Sequence, residues 1–245
     1  MNCAFSWPAG VFVLIPAYKA AGSLRDLLPG LFRVVPPENV CVSDDGSGDD
    51  TAIVCRDSGV SYVSSDVNRG KGAALSLGFR FLLDTKSASW VITMDADGQH
   101  AVSDIPKFLL RMQESPDTGI VIGERFRRPG TMPLARIFSN TVTSFILSRM
   151  AKARISDSQC GFRAYSARTL SAVACRYNRF EMESEIILRA CATGYSVSFI
   201  PVQTLYFSSQ SHISAVADTL RWLRAVISVW LELRNNDHHH VHAQA

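Results

Sequence analysis

The sequence predicts an α/β protein with a mainly parallel central sheet flanked by helices. Three features carry this: apolar runs of strand length, helical segments alternating with them, and carboxylates placed abruptly where two of the runs end. Alternating strand and helix favours parallel pairing, because each crossover helix returns the chain to the end of the sheet where the preceding strand began.

The elements follow in order. Val11 to Ile15 is an apolar run stopped by Pro16-Ala17-Tyr18, and Ser23 to Phe32 is a helix with Ser23 as its N-cap. Val40-Cys41-Val42-Ser43 is a second strand and ends in Asp44-Asp45-Gly46-Ser47. Thr51 to Ser58 reads as a helix, Val60 to Ser64 as a short strand, and Gly72 to Lys86 as a helix with Leu75, Leu82 and Leu83 on one side. Val91-Ile92-Thr93-Met94 runs into Asp95-Ala96-Asp97-Gly98-Gln99-His100. Gly119 to Gly123 is a further strand with Arg125 just past its end. Pro133 to Met150 is a helix opened by proline, and its Leu134, Ile137, Phe138, Phe145, Ile146 and Met150 suit either a core or a lipid surface. Glu181, Glu183 and Glu185 open a helix carrying Ile186, Leu188 and Arg189.

Ligands of open parallel sheets bind beyond the carboxyl ends of the strands, so two acidic strand ends point to one crevice. Asp97 and Gln99 offer a carboxylate and a carbonyl to a hard divalent cation, and a nucleotide's diphosphate completes such a shell for Mg²⁺ or Mn²⁺. Either acidic end taken alone is equally an ordinary Asp/Gly turn. Lys71, in a glycine-rich turn before a helix, stands where a base or phosphate is approached. Its Gly-x-Gly lacks the Gly-Lys-Ser/Thr ending of a P-loop, which excludes an NTPase of that kind.

The net charge of +3 is unevenly distributed: Glu124 to Arg154 carries +6 and the rest of the chain −3. An anionic partner is expected beside that segment. Nucleic acid is excluded as the reading, since the segment lacks interleaved aromatics and no DNA-reading motif is present. A lipid phosphate fits better. Arg136 and Asn140 stand i, i+4 and share a helix face, and the planar fork of Arg125 suits an oxyanion. A solvated surface arginine is the simpler reading for Arg127 and Arg128. Cys3, Cys41, Cys55, Cys160, Cys175 and Cys191 show neither CxxC pairing nor scaffold density, which suits a reducing cytoplasm. No run approaches the length of a membrane span. Ile213 to Arg234 alternates Trp222, Trp230 and aliphatic residues with Arg221, Arg224 and Arg234, so it suits a membrane interface or a helix docked on the sheet. Asp237 to Ala245, with His238, His239, His240 and His242, reads as a polar tail.

Ile15-Pro16-Ala17-Tyr18, Asp44-Asp45-Gly46-Ser47, Asn68-Arg69-Gly70-Lys71-Gly72-Ala73, Asp95-Ala96-Asp97-Gly98-Gln99-His100, Gly123-Glu124-Arg125 and Asp157-Ser158-Gln159-Cys160-Gly161-Phe162-Arg163 occur in the order and approximate spacing of family 2 glycosyltransferases. From about Val11 to Val202 the chain resembles that family, and within it most the dolichol- or polyprenyl-phosphate sugar transferases. The resemblance implies a GT-A type nucleotide-diphospho-sugar transferase fold over residues 1–212. Residues 213–234 are then an amphipathic helix of the same unit, and 235–245 a disordered tail. It implies an inverting enzyme that moves a sugar from a nucleotide-sugar donor to a lipid acceptor, a polyprenyl phosphate. The chain would lie peripherally on the cytoplasmic face of a membrane, with a separate membrane-protein partner as an alternative anchor. Carried over position by position, Pro16, Tyr18, Asp44, Asp45, Lys71 and Asp95 bind the nucleotide sugar, and Asp95, Asp97 and Gln99 hold the metal. Arg125, Arg136, Asn140 and Glu185 face the acceptor, with Asp97, Asp157, Arg125 and Arg136 as the catalytic set.

Three departures stand out. The family's Tyr-Asn-Glu is Tyr18-Lys19-Ala20, which removes a carboxylate near the nucleotide. The run Tyr206-Phe207-Ser208-Ser209-Gln210-Ser211-His212 lacks the subgroup's arginine and has histidine where lysine is expected. No transmembrane hairpin follows it. Transfer to a hydroxyl of another lipid or glycan, a sugar nucleotidyltransferase and a non-catalytic nucleotide-sugar binding module are the alternatives. A hydroxyl acceptor needs a carboxylate base, for which Asp157 is the first candidate.

Overall fold

The computed structural model of the protein describes residues 6–126, 134–205 and 215–242. Seven strands form one sheet: β1 (Val11–Ala17), β2 (Val40–Asp44), β3 (Ser61–Ser64), β4 (Trp90–Thr93), β5 (Thr118–Arg125), β6 (Arg163–Ser166) and β7 (Ser196–Val202). Their order is β3-β2-β1-β4-β6-β5-β7. β1 pairs in parallel with β2 and β4, β2 with β3, and β5 with β7, while β6 runs antiparallel to β4 and β5. The sheet is therefore mainly parallel, as the alternation requires. Its reversed strand, Arg163-Ala164-Tyr165-Ser166, has no apolar run to announce it.

The described helices are α1 (Ala21–Leu31), α2 (Thr51–Asp57), α3 (Lys71–Lys86), α4 (Ile105–Glu114), α5 (Leu134–Ala151), α6 (Ala167–Ala172), α7 (Glu181–Ala192) and α8 (Ala215–His242). All seven positions of β1 and all five of β2 are buried, the signature of central parallel strands covered on both faces. Helix α3 lies so close to β1 that a Cβ on Gly78 would collide with the Leu14 side chain. Because β1 has β2 on one side and β4 on the other, the chain reverses its direction of travel across the sheet there. A crevice opens at such a point beyond the carboxyl ends.

Two expected boundaries are corrected. Helix α1 begins at Ala21, not Ser23; the Ser23 hydroxyl instead donates to the Ala20 carbonyl (3.1 Å). The helix start is fixed from elsewhere in sequence, with Ala20 N–H donating to Thr51 Oγ1 (3.1 Å) and Ala21 N–H to Asp49 Oδ2 (3.4 Å). Helix α8 runs beyond Arg234 to His242, so residues 235–242, expected as tail, continue the helix. Extending a nucleated helix fixes one residue per added bond and needs no apolar face. Residues 243–245, together with Cys3, Arg127, Arg128, Pro133 and Tyr206 to Ile213, lie outside the described residues.

Helix α8 also packs on the protein. Val226 and Val229 are buried at 1 % exposure, and the Trp222 indole N–H donates to Ser184 Oγ of α7 (2.9 Å). Arg189 of α7 reaches Glu232 of α8 at 3.1 Å. Of the two readings of this segment, docking within the fold describes α8. No helix among the described residues is long and apolar enough to cross a membrane.

Candidate active site

The end of β4 delivers Asp95 into a cluster of charges. Lys71, the first residue of α3, places Nζ 2.7 Å from Asp95 Oδ1 and 3.3 Å from Glu183 Oε2 of α7. His100 Nε2 lies 3.2 Å from Asp95 Oδ2. Burial alone would raise the Asp95 pKa, but Lys71 and His100 outweigh it and hold the carboxyl well below the usual range. Burial alone would likewise lower Lys71, yet the two carboxylates raise it above an ordinary lysine. Both groups are thus locked in their charged forms.

Space for this pair comes from Gly161. A Cβ there would stand 2.7 Å from Asp95 Oδ2 and 2.8 Å from Lys71 Nζ. The start of α3 is held just as closely. Gly70 has φ +109, its Cβ position would meet the Asn178 carbonyl at 2.7 Å, and Ala73 N–H donates to that same carbonyl (2.9 Å). Glycine is required at that φ.

Asp45 completes the support, accepting from the backbone N–H groups of Arg69 (3.0 Å) and Gly70 (2.6 Å). Asp44 accepts from the Tyr62 hydroxyl (2.7 Å) and the Ser47 hydroxyl. Both aspartates are 3 % exposed. These carboxylates, expected at the nucleotide's base and ribose, here shape the walls: Asp45 sets the turn that aims Lys71, and Asp44 ties β2 to β3. Pro16 is buried within β1 opposite Ser43, and Tyr18 is exposed at the crevice end of β1.

Beyond Asp95 the chain turns at Asp97, whose Oδ1 accepts the Gln99 N–H (2.9 Å) and which is otherwise exposed. The loop is pinned from the far side, where Leu205 N–H donates to the Gln99 carbonyl (2.9 Å) and His100 bridges to Thr204. The His100 ring rests 5.0 Å from that of Phe162. Asp95, Asp97 and Gln99 therefore share one braced loop. Among the described residues no group of three or more His, Cys, Asp and Glu is gathered as a ready metal shell.

The second half of the site lies at the end of β5. Arg125 donates from Nε and Nη2 to the two oxygens of Asp157 (2.8 and 2.9 Å). Asp157 is fully buried and also accepts from Asn140 Nδ2 (2.8 Å) and from the N–H groups of Gln159 and Cys160 (both 3.1 Å). Burial would raise its pKa, but the Arg125 guanidinium and the Asn140 amide keep it below the ordinary carboxylate range. With both oxygens so engaged, Asp157 positions Arg125 and is a poor proton acceptor. Asn140 is buried and turned to Asp157, whereas Arg136, one turn earlier on α5, is exposed. A cavity of about 610 Å³ opens here, lined among others by Glu124, Arg125, Ser144, Ser148, Arg154 and Ser156. The Ser156 Oγ is buried without a hydrogen-bond partner.

Glu185, expected at the acceptor, is not brought to this region. It is 1 % exposed and accepts from the N–H groups of Arg176 and Tyr177 and from Arg189 Nε (2.9, 3.1 and 2.9 Å), on the side of α7 that faces α8. Two residues, about 200° of helix phase, set Glu185 on the opposite side from Glu183, the α7 carboxylate that reaches Lys71. Three residues that build the cluster had weak sequence signals. Glu183 reads only as a helix-start acid, and His100 only as the end of a motif. Arg163, a fully buried arginine, donates to the carbonyls of Cys160 (2.6 Å), Ser158 (2.8 Å) and Glu183 (3.0 Å), tying the 157–162 loop to α7.

The comparisons with known proteins agree with this geometry. The family model "Glycosyl transferase family 2" matches residues 12–174. An uncharacterized protein of Methanocaldococcus jannaschii is 32 % identical over 202 residues, 80 % of this chain and 82 % of that one. A UDP-N-acetylglucosamine–dolichyl-phosphate N-acetylglucosaminyltransferase of Methanococcus voltae is 27 % identical over 218 residues, covering 80 % and 86 %. An undecaprenyl-phosphate mannosyltransferase of Micrococcus luteus is 28 % identical over 204 residues, covering 78 % and 82 %. Among solved structures, glucosyl-3-phosphoglycerate synthase from Mycobacterium tuberculosis, in complex with Mn²⁺, UDP and phosphoglyceric acid, superposes with a TM-score of 0.69 at 18 % identity, covering 92 % and 78 %. That likeness establishes the GT-A fold. With the braced acidic loop at the switch point of the sheet and two thirds of the chain matched, the protein belongs to glycosyl transferase family 2 and is a glycosyltransferase.

Proposed function

We propose that the chain carries out inverting transfer of a sugar from a nucleoside diphosphate sugar to a membrane lipid phosphate of the polyprenyl phosphate class. The observation that carries the choice of acceptor is the state of Asp157. The carboxylate placed where a base for a hydroxyl acceptor would stand is buried, saturated with hydrogen bonds and held below the normal pKa range. A phosphate monoester is already an anionic nucleophile and needs only positioning. Arg125 and Arg154, on the wall of the 610 Å³ cavity, are suited to that. The named relatives that act on dolichyl and undecaprenyl phosphate support the same class.

On the donor side, Asp97 and Gln99, with Asp95 behind them, are the residues that would hold a divalent cation. Hard oxygen donors on one loop, short of a full shell, fit Mg²⁺ or Mn²⁺ completed by diphosphate oxygens. Such an ion neutralises charge on the leaving diphosphate. Lys71 adds a fixed positive charge at the same crevice, aimed by Asp45 through the Arg69-Gly70 turn and steadied by Glu183. In the transfer itself the bond from the anomeric carbon to the diphosphate oxygen breaks, and one from that carbon to an acceptor phosphate oxygen forms. No proton is moved.

The test is incubation of purified protein with a panel of nucleotide sugars and a polyprenyl phosphate, followed by mass spectrometry of the lipid fraction. A glycosyl-phospholipid together with free nucleoside diphosphate, lost in EDTA and restored by Mn²⁺ or Mg²⁺, is the expected result. Product formed only on hydroxyl acceptors would overturn it. Glu124, on the wall of the same cavity, favours that second reading, and Glu124→Gln would then abolish turnover.

A further inference from the structure

Helix α5 is amphipathic with its faces exchanged. Towards the protein it turns Asn140, Thr143 and Ser144, exposed by 7 % or less and bonded to Asp157 and Ser158. Outward it turns Leu134, Phe138, Val142 and Phe145, which are 72, 73, 39 and 59 % exposed. Their spacing of four, four and three residues sets them on one stripe. A polar inner face satisfied by buried hydrogen bonds cannot be rotated outward without orphaning those groups, so the apolar stripe is committed to the outside.

The segment that carries the stripe has one sign, although Glu124 shares the cavity wall with Phe145. From Phe126 to Ser156 the chain holds six Arg and Lys residues and no Asp or Glu. Arg136, Arg149, Lys152 and Arg154 are exposed, and the Arg149 guanidinium lies 5.3 Å over the Phe145 ring. Apolar side chains rimmed by cations match a lipid surface with anionic headgroups, where burial and charge attraction add. A second copy presenting the same cationic rim would be repelled. Helix α8 also exposes Leu220, Ile227 and Leu231 beside Arg224, but it carries the acids Asp218 and Glu232 among its arginines, and its Trp222 and Glu232 are engaged with α7.

We propose that α5 seats the protein on anionic bilayers through Leu134, Phe138, Val142 and Phe145. The proposal goes beyond the transfer reaction: it fixes which face meets the membrane and brings the Arg125 and Arg154 cavity, whose wall includes Phe145, to the headgroup level.

Co-sedimentation of the full chain with phosphatidylcholine vesicles, with and without phosphatidylglycerol, tests it. Wild type should pellet with the anionic vesicles, less with neutral ones, and less at high salt. The double variant Leu134→Ser with Phe138→Ser should partition roughly tenfold more weakly or worse. Both positions are solvent-facing, so its melting temperature and its turnover of a short-chain, water-soluble acceptor should match wild type. That readout separates failure of docking from failure of the assigned reaction. Leu220→Ser with Leu231→Ser on α8 should bind as wild type does. Wild type remaining in the supernatant at low salt, or equal binding by the α5 variant, overturns the proposal. So does light scattering that shows a wild-type dimer turned to monomer by that variant with vesicle binding unchanged.

Discussion

Asp157 and Gly161 bracket a loop whose chemistry is visible only in three dimensions. Asp157 is a buried anion answered by a partly buried arginine, and removing one partner of such a pair costs about 3 kcal/mol or more. Asp157→Asn should therefore lower unfolding free energy at pH 7 by about that amount, read by urea denaturation. Its folded-state pKa is depressed below the ordinary aspartate value of 3.8. The stabilisation is thus complete above that value and is lost as pH falls through the folded pKa, so the gap between variant and wild type should close in acid. An unchanged gap at pH 7 and in acid would contradict the assignment. Gly161→Ala tests the other end. The added Cβ meets the tips of Lys71 and Asp95, which can shift aside, so stability should hold while kcat/KM falls about tenfold or more from the displaced charges. Circular dichroism melting beside steady-state kinetics separates the two effects. Neither role could be read from spacing. A motif identifies Asp157 and Gly161 as places of interest, but which oxygen is already occupied depends on Arg125 and Asn140, 32 and 17 residues away.

The strands of the first half were legible because β1, β2 and β4 are buried on both faces and so read as continuous apolar runs, two of them ending in acids. Strands β6 and β7 were not. β6 carries the buried Arg163, whose charge is satisfied by carbonyls that the sequence does not place nearby. β7 begins exposed and becomes buried only at Ile200 and Val202. The helices show the same division. α3 starts where its glycine turn says it should, whereas α1 is capped from Asp49 and Thr51, across a gap that local patterning does not span. In α8 the apolar and basic residues alternate in a way that fits water, lipid or core, and only the Trp222 and Glu232 partners decide for the core. Substituting its two faces tests that decision. Val229→Asp places an unpaired charge at a 1 % exposed position and should cost about 3 kcal/mol or more. Leu231→Asp, at 49 % exposure, should stay within about 0.5 kcal/mol. Thermal melts of the two variants read this directly, and equal melting temperatures would mean that α8 does not rest on α7.

Viewed along the sheet, the two substrates are assigned to different sectors. The groups proposed for the donor come from the carboxyl end of β4 and the start of α3, while those proposed for the acceptor come from the end of β5 and from α5. The reversed strand β6 lies between β4 and β5, and the Thr93 hydroxyl donates to the Gly161 carbonyl (2.9 Å), coupling the Asp95 end to the loop that carries Asp157. Charge follows the same division among the described residues, with Arg125, Arg136, Arg149, Lys152 and Arg154 all on the β5–α5 side. Substitutions in the two sectors should therefore separate kinetically. Asp97→Asn removes one anionic donor from an exposed loop, so the fold should persist while kcat falls by about 10² or more and the acceptor KM stays near its wild-type value. Arg154→Ala leaves the Lys71 and Asp95 pair untouched, so it should raise the acceptor KM and make turnover less sensitive to salt, with nucleotide affinity unchanged. Steady-state kinetics with each substrate varied in turn, beside calorimetric titration of the nucleoside diphosphate, resolves the two patterns. If Arg154→Ala instead weakened nucleotide binding, the basic sector would belong to the donor, and the acceptor would have to enter from another side of the sheet.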